Sequence, residues 1–512
     1  MVATSHPLGV DAGLGAIEAG GNAVDAAVAA AAVLAVVDPP STGIGGDLFA
    51  LVWPVGSPSP QALAAAGCAP AGLSVDALRD AGYGSMPGDG AWTVTVPGGV
   101  AGWAELLERQ GRLGLDAALR PAIAAAEGGF QVTPVVARSW AEEASRLARN
   151  EASRAAFLLA GRAPAPAERF ANPDLARTLR AIAEEGPAVL YGGPLGERIA
   201  AAVERAGGPM RASDLAAWGG PSWSEPIAID HGGARVYEHP PPGQGIVVLE
   251  ALGIYEKLDT SGRPQDEHAA IEALRLAFAD AFQHLADPAK VALPIDQLLA
   301  KSRLQRLARD VRPHEAARLL VGDAPGLDTV YVAAVDPEGG GCSLIQSLFH
   351  RFGSKLTVPE TGVVLQNRGA GFTLTEGHPN RPEPGKRPYH TIIPGMLGAT
   401  GRFLACLGVV GGFMQPQGQL QIIRNVLDRD MDPQAAIDAP RFRVAERAET
   451  SRVGLEKDFP SEVADELAAR GHAVVALPWW EAGGAQMILR DEDGSLVGGS
   501  DPRKDGLARA LE

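Results

Sequence analysis

Helical periodicity in the first half of the 512-residue chain and short β-rich runs in its last third predict a mixed α/β (α+β) fold. The two regions meet at Gly322 to Leu327, a Gly/Pro/Asp stretch without periodicity that reads as an exposed linker. Helices on one side of that linker and strands on the other fit either two domains or one layered domain fed by both.

The first fifty residues read as a helix, a Gly20-Gly21 turn, a second helix and a loop. Asn22 can cap the second helix, an Ala/Val run from Ala23 to Val37 that Asp38-Pro39-Pro40 stops. That run contains Asp25 and falls short of a membrane span, so it reads as a buried helix. Ser41 to Asp47 (STGIGGD) is a glycine-rich loop before an apolar strand, Leu48 to Trp53. It could cradle an anion, but it lacks the lysine of a phosphate-binding loop, and tight packing of a turn is the stronger reading. From Gly114 to Asp287 the pattern is mostly helical, clearest where Ile271, Leu274, Phe278 and Phe282 recur at helical spacing. Pro240 to Gly243 is a rigid turn. Beyond the linker, Val330 to Val335 and Cys342 to Phe349 read as strands joined by a turn at Asp336 to Gly341. Leu356 to Pro359, Val363 to Leu365, Phe403 to Val410 and Gln486 to Leu489 read as further strands.

Composition narrows the function. With 46% hydrophobic and 21% charged residues the chain has ample material for a large core. Its 45 basic residues against 61 acidic ones form no basic cluster, which excludes a nucleic-acid partner; the acidic balance serves solubility. Cys68, Cys342 and Cys406 are too few and scattered for a disulfide framework or a zinc ribbon. No signal peptide and no membrane span are read, so a cytoplasmic location and no membrane partner are expected. The histidines are dispersed, with no HExxH, so no metal is expected; neither a GxSxG elbow nor a GxGxxG motif is present. What remains is Asp328-Thr329-Val330-Tyr331, a hydroxyl residue at a strand start behind the linker. Taken alone, it reads as an ordinary strand start.

The surroundings of Thr329 change that reading. AGGNAVDAAVA (Ala19 to Ala29), GIGGDLF (Gly43 to Phe49), VPGGVAGW (Val96 to Trp103), GGPMRASDL (Gly207 to Leu215), Glu225-Pro226 and PPPGQG (Pro240 to Gly245) follow one another. His268, Glu272, Arg275 and AFAD (Ala277 to Asp280) come next, with Asp287-Pro288. Lys386 to Pro388, Gly411-Gly412, APRF (Ala439 to Phe442) and GSDPRKDG (Gly499 to Gly506) complete the series. In this order they resemble the γ-glutamyltransferase (glutathione hydrolase) family of N-terminal-nucleophile (Ntn) hydrolases across nearly the whole chain.

The resemblance implies a four-layer αββα sandwich and no cofactor. It also implies a precursor, or zymogen, that cuts itself between Asp328 and Thr329. The large fragment would be residues 1–328 and the small one 329–512, staying associated in one core, alone or as a dimer of heterodimers. Thr329 would be the nucleophile and its freed α-amine the base. Ser347 matches a second hydroxyl that bonds to that threonine. Gly411 and Gly412 match a pair whose backbone N–H groups hold the oxyanion.

Several positions depart from the glutathione-cleaving enzymes. Ala66 replaces the arginine of an RExAP motif that holds the substrate's α-carboxylate. Phe349 stands for an asparagine, and QNRGAGF (Gln366 to Phe372) for an acidic segment that binds the substrate's amino group. Arg368 and Gly371 fall where acidic or amide residues are expected, His390 and Thr391 replace paired serines, and Tyr331 replaces a histidine. The DTVY, SLFH, QNRGAGF and MQPQGQ segments are similar to a second branch, that of oxamate amidohydrolase and transferases of unproven substrate. Arg368 could grip a substrate carboxylate bidentately or bridge backbone carbonyls. Tyr331, Phe349, Arg368, His390 and Thr391 are therefore the expected substrate-binding residues. The expected function is hydrolysis of an amide of a small carboxylate-bearing acyl donor. The alternatives are a true glutathione hydrolase with a rebuilt clamp and an uncut, non-catalytic binding homologue.

Overall fold

The computed structural model describes residues 1–258, 267–317, 329–444 and 452–511. Asp328 and the linker from Gly322 to Leu327 lie outside the described residues. Two antiparallel sheets dominate. The first runs in the order Leu507–Arg509, Val2–Thr4, Val330–Val335, Gly341–Ser347, Asp47–Trp53, Gln61–Ala65, Ser222–Ser224. The second runs Leu496–Ser500, Gly484–Arg490, Arg402–Val410, Gly395–Ala399, Ala234–Glu238, Ile227–His231. Each sheet takes strands from both sides of Thr329.

Side-chain alternation along the strands builds the layers. Val330, Val332 and Ala334 pack with the helices Pro7–Glu18 and Ala23–Val37 on the outer face of the first sheet. Tyr331, Ala333 and Val335 point the other way, into a core shared with Met396, Cys406 and Ile488 of the second sheet. The far face of the second sheet, with Leu397, Leu407 and Met487, is covered by the helices Gly245–Tyr255, Glu267–His284 and Met414–Leu427. The result is the four-layer αββα sandwich.

The Ala23–Val37 helix starts as its sequence dictates. Asn22 Oδ1 accepts from the N–H groups of Val24 (2.9 Å) and Asp25 (3.2 Å), and Asn22 N donates back to Asp25 Oδ2 (2.8 Å). The region from Gly114 to Asp287 is mostly helical, as its pattern predicts, but it also contributes Ser222–Ser224, Ile227–His231 and Ala234–Glu238 to the sheets. At three to five residues these strands are too short for alternation to stand out. Val2–Thr4, also three residues, is held by strand partners on both sides rather than by any pattern of its own.

The glycine-rich loop is a packed turn. A Cβ on Gly45 would lie 2.2 Å from the Val364 carbonyl oxygen, and one on Gly46 2.4 Å from that of Ser347. The loop thus presses against the end of the Gly341–Ser347 strand. Gly46→Ala is expected to cost about 1–3 kcal/mol through overpacking. Chemical unfolding should show it as a lower midpoint, and an unchanged midpoint would mean that the loop yields.

Candidate active site

Strand parity decides which side chains meet. Ser347 and Asp47 are register partners in neighbouring strands. They follow the parity of Ile345 and Phe49, which pack between the sheets. Thr329, directly before Val330–Val335, shares the parity of Tyr331. Three polar side chains therefore converge at one end of the inter-sheet layer. Thr329 is buried, with Oγ1 3.3 Å from Ser347 Oγ and 3.4 Å from Gln415 Nε2. Ser347 Oγ also accepts the Phe349 N–H at 2.8 Å.

The second sheet supplies Gly411 and Gly412 directly after the Arg402–Val410 strand. Their φ values of +116° and +60° lie where only glycine is comfortable. Their carbonyls accept from Met414 N (3.0 Å) and Gln415 N (3.1 Å), so the pair forms the turn that starts the Met414–Leu427 helix. Gln244 Nε2 pins the Gly412 carbonyl at 3.0 Å.

Arg368 is fully buried. Nη1 donates to Thr391 Oγ1 at 3.1 Å, and the Phe349 ring covers the guanidinium at 4.3 Å in a cation–π contact. Nε and Nη2, which share one edge of the guanidinium, are buried and have no hydrogen-bond partner among the described residues. Burial lowers its pKa to about 10, with nearby Asp47 pulling the other way. Phe349 holds a left-handed φ of +80° and forms part of the wall of a cleft of about 900 Å³ that Gly371, Tyr389 and Phe413 also line. A cavity of about 1010 Å³ beside the Pro7–Glu18 helix is larger, but none of the site residues lines it.

Of the expected substrate-binding residues, only Phe349 lines the cleft of about 900 Å³. Tyr331 lies in the core between the sheets with its hydroxyl 2.8 Å from Ser343 Oγ, because alternation turns it toward Cys406 and Met396. His390 is fully buried, and both ring nitrogens are engaged, Nδ1 with the Pro388 carbonyl (2.7 Å) and Nε2 with Asp47 Oδ2 (3.0 Å). Burial pushes its pKa down while Asp47 opposes. Thr391, also buried, accepts from Arg368 Nη1, and neither of the two lines the cleft.

Sequence reasoning missed Asp47, Gln366 and Gln415. Asp47 Oδ1 accepts from Gly98 N (3.0 Å), Gln366 Nε2 (3.0 Å) and Gly67 N (3.3 Å). One signal was available: a lone carboxylate opening the otherwise apolar strand Asp47–Trp53.

His268, Glu272 and His472 bring possible metal-ligand atoms within 4.8 Å of one another, all buried. However, Arg275 donates to Glu272 Oε1 at 2.6 Å and lies 3.3 Å from His472 Nδ1, placing a cation where a metal would sit. His268 Nδ1 meets His472 Nε2 at 2.7 Å, and Glu272 Oε2 accepts Ala317 N at 3.0 Å. This is a hydrogen-bonded network, and it holds the chain just before the undescribed stretch that leads to Thr329. Among the described residues no helix is long and apolar enough to cross a membrane.

Two stacked antiparallel sheets between helical layers, with a threonine at the head of a central strand, place the protein among the Ntn amide hydrolases. Within that class the chain belongs to the γ-glutamyltransferase family, whose model, described as Gamma-glutamyltranspeptidase, matches residues 9–511. It is 37% identical to a glutathione hydrolase-like YwrD proenzyme of Bacillus subtilis, covering 99% of this chain and 98% of the relative. It is 35% identical to an oxamate amidohydrolase proenzyme of Klebsiella pneumoniae, again over 99% and 98%. The crystal structure of a cephalosporin acylase from Bacillus halodurans superposes with a TM-score of 0.94 at 40% identity, covering 100% of this chain and 95% of that one.

Ser347 is the one hydroxyl among these contacts that touches both Thr329 and the Phe349 backbone. Ser347→Ala is expected to lower turnover roughly 10-fold or more by releasing the Thr329 hydroxyl from its orientation. Steady-state kinetics on the folded variant checks this, and wild-type turnover would remove Ser347 from the machinery.

Proposed function

We propose that the chain is a self-cleaving amidohydrolase, cut between Asp328 and Thr329 into fragments of residues 1–328 and 329–512. It hydrolyses an amide of a small acyl donor that carries a carboxylate. The freed α-amine of Thr329 takes the hydroxyl proton as Oγ1 attacks the amide carbonyl. The tetrahedral oxyanion is held by the N–H groups of Gly411 and Gly412, whose carbonyls are already taken up by the helix start. The leaving amine receives the proton, and water then releases the acid from acyl-Thr329.

Arg368 carries the substrate reading. Its unpartnered Nε and Nη2 form the side-on fork that matches a carboxylate, next to the cleft wall made by Phe349. Gly371 offers no carboxylate to an amino-acid ammonium, which argues against a γ-glutamyl donor. The relatives' names agree in kind: both are proenzymes, and oxamate is an amide whose acyl part bears a carboxylate. Because both sheets draw strands from either side of Thr329, the cut fragments stay together in one core.

The purified protein should run as two fragments under denaturing conditions, the smaller beginning Thr-Val-Tyr-Val, and Thr329→Ala as one. A fully active uncut wild-type chain would overturn the mechanism. With oxamate and γ-glutamyl-p-nitroanilide assayed side by side, the first should be the better substrate. Arg368→Ala should raise KM for oxamate roughly 30-fold or more, as expected for loss of a buried charge partner, while self-cleavage proceeds. Arg368→Lys should rescue only partly. Efficient glutathione hydrolysis indifferent to Arg368 would restore the transferase reading.

A further inference from the structure

The hydrolytic scheme leaves a buried carboxylate and a buried imidazole unused, and their hydrogen bonds set a proton count. His390 Nδ1 lies 2.7 Å from the Pro388 carbonyl, which can only accept, so Nδ1 carries hydrogen. Nε2 lies 3.0 Å from Asp47 Oδ2. That contact is a hydrogen bond only if a proton lies on it, as imidazolium facing carboxylate or imidazole facing carboxylic acid. Both arrangements sum to zero charge. Burial and the neighbouring Arg368 act to strip the proton from His390, and Asp47 acts to keep it.

The other groups around His390 do not change the sum. Phe49 stacks on its ring at 5.2 Å and on His239 at 4.1 Å. Burial lowers the His239 pKa to about 4, against the pull of the Pro240 and Leu63 carbonyls 2.8 and 3.1 Å from its ring nitrogens. Arg387 is paired with Asp287 at 2.7 Å, and Gly243, bridged to His390, brings only backbone. Among the described residues the Arg368 charge is then left without a counter-ion, with Nε and Nη2 unpartnered.

We infer that Asp47 and His390 share one proton that keeps the Arg368 pocket at a single net positive charge. The shared proton makes the site a receptor for one carboxylate anion and His390 a specificity-determining positioning residue. The inference rests on the reading of Arg368 as the anchor of the acyl donor. When the proton leaves, His390 turns a lone pair toward Asp47, and the Asp47 charge then neutralises Arg368. Anion affinity is therefore present below the pKa of the pair and lost as pH rises through it.

Calorimetric titration of the mature protein with oxalate, which has a carboxylate but no amide to cut, tests the proton count. For the wild type, Kd should rise about tenfold per pH unit above the apparent pKa of the pair. His390→Gln, which keeps a donor to Asp47 but not the proton, should weaken binding roughly 10- to 100-fold and flatten the pH dependence. Asp47→Asn/His390→Gln removes the negative charge as well and should bring affinity back to within a few-fold of the wild type. A merely structural role predicts that the double variant is worse than the single one, and that outcome would overturn the inference. So would wild-type binding that ignores pH, a result that needs no variant to fold. Loss of oxalate binding in Arg368→Ala is expected throughout. Wild-type protein that does not bind oxalate, or Arg368→Ala that binds it normally, would instead remove the Arg368 assignment itself.

Discussion

A carboxylate with no exposed surface, that of Asp47, is the constraint on which the site depends. Its two oxygens hold four separate pieces of chain: the backbone at Gly67 and Gly98, the Gln366 side chain that leads into Arg368, and the His390 ring. A buried charge persists only when fully paired, so each of these pieces is held to the geometry the carboxylate requires. Asp47 also sits opposite Ser347 in the strand register, which ties the surroundings of Arg368 to those of the proposed nucleophile Thr329.

The two sheets divide the chemistry. The first contributes two hydroxyls and a carboxylate, because Thr329, Ser347 and Asp47 share one parity and so one face. The second contributes the Gly411-Gly412 turn and the helix behind it, whose Gln415 reaches back to Thr329 and to Ile393 N at 3.0 Å. Close approach between them needs residues without side chains at the contact. Gly408, Gly398 and Gly341 meet that need, since a Cβ there would lie 2.3 Å from the Tyr331 ring, 2.5 Å from Trp53 and 2.7 Å from Phe403, respectively, on the opposite sheet.

The recognition proposed for Arg368 rests on desolvation rather than on distance alone. Removing Arg368 from water is costly, and the Phe349 ring and the Thr391 hydroxyl offset only part of that cost. A guanidinium kept dry with one edge unpaired is poised for an anion that arrives with two acceptor oxygens. Phe349 has a double role in this, since its backbone N–H orients Ser347 while its ring covers Arg368. Its left-handed conformation is consistent with that double hold.

Much was legible in the sequence for local reasons. The Asn22 cap, the Ala23–Val37 helix, the Val330–Val335 strand and the helical spacing of Ile271 to Phe282 depend on neighbours within a few residues, and the pattern records them. The order of motifs along the chain was sufficient to name the family and its layered fold. Tertiary structure alone decided which residues face which. Thr329 directly precedes the strand on which Tyr331 lies, two residues on, yet Tyr331 fills the inter-sheet core while Thr329 meets Ser347 at its edge. The pairing of Asp47 with His390 spans 343 residues. No local propensity encodes such a contact; it exists because two sheets pack face to face and leave a buried charge to be satisfied.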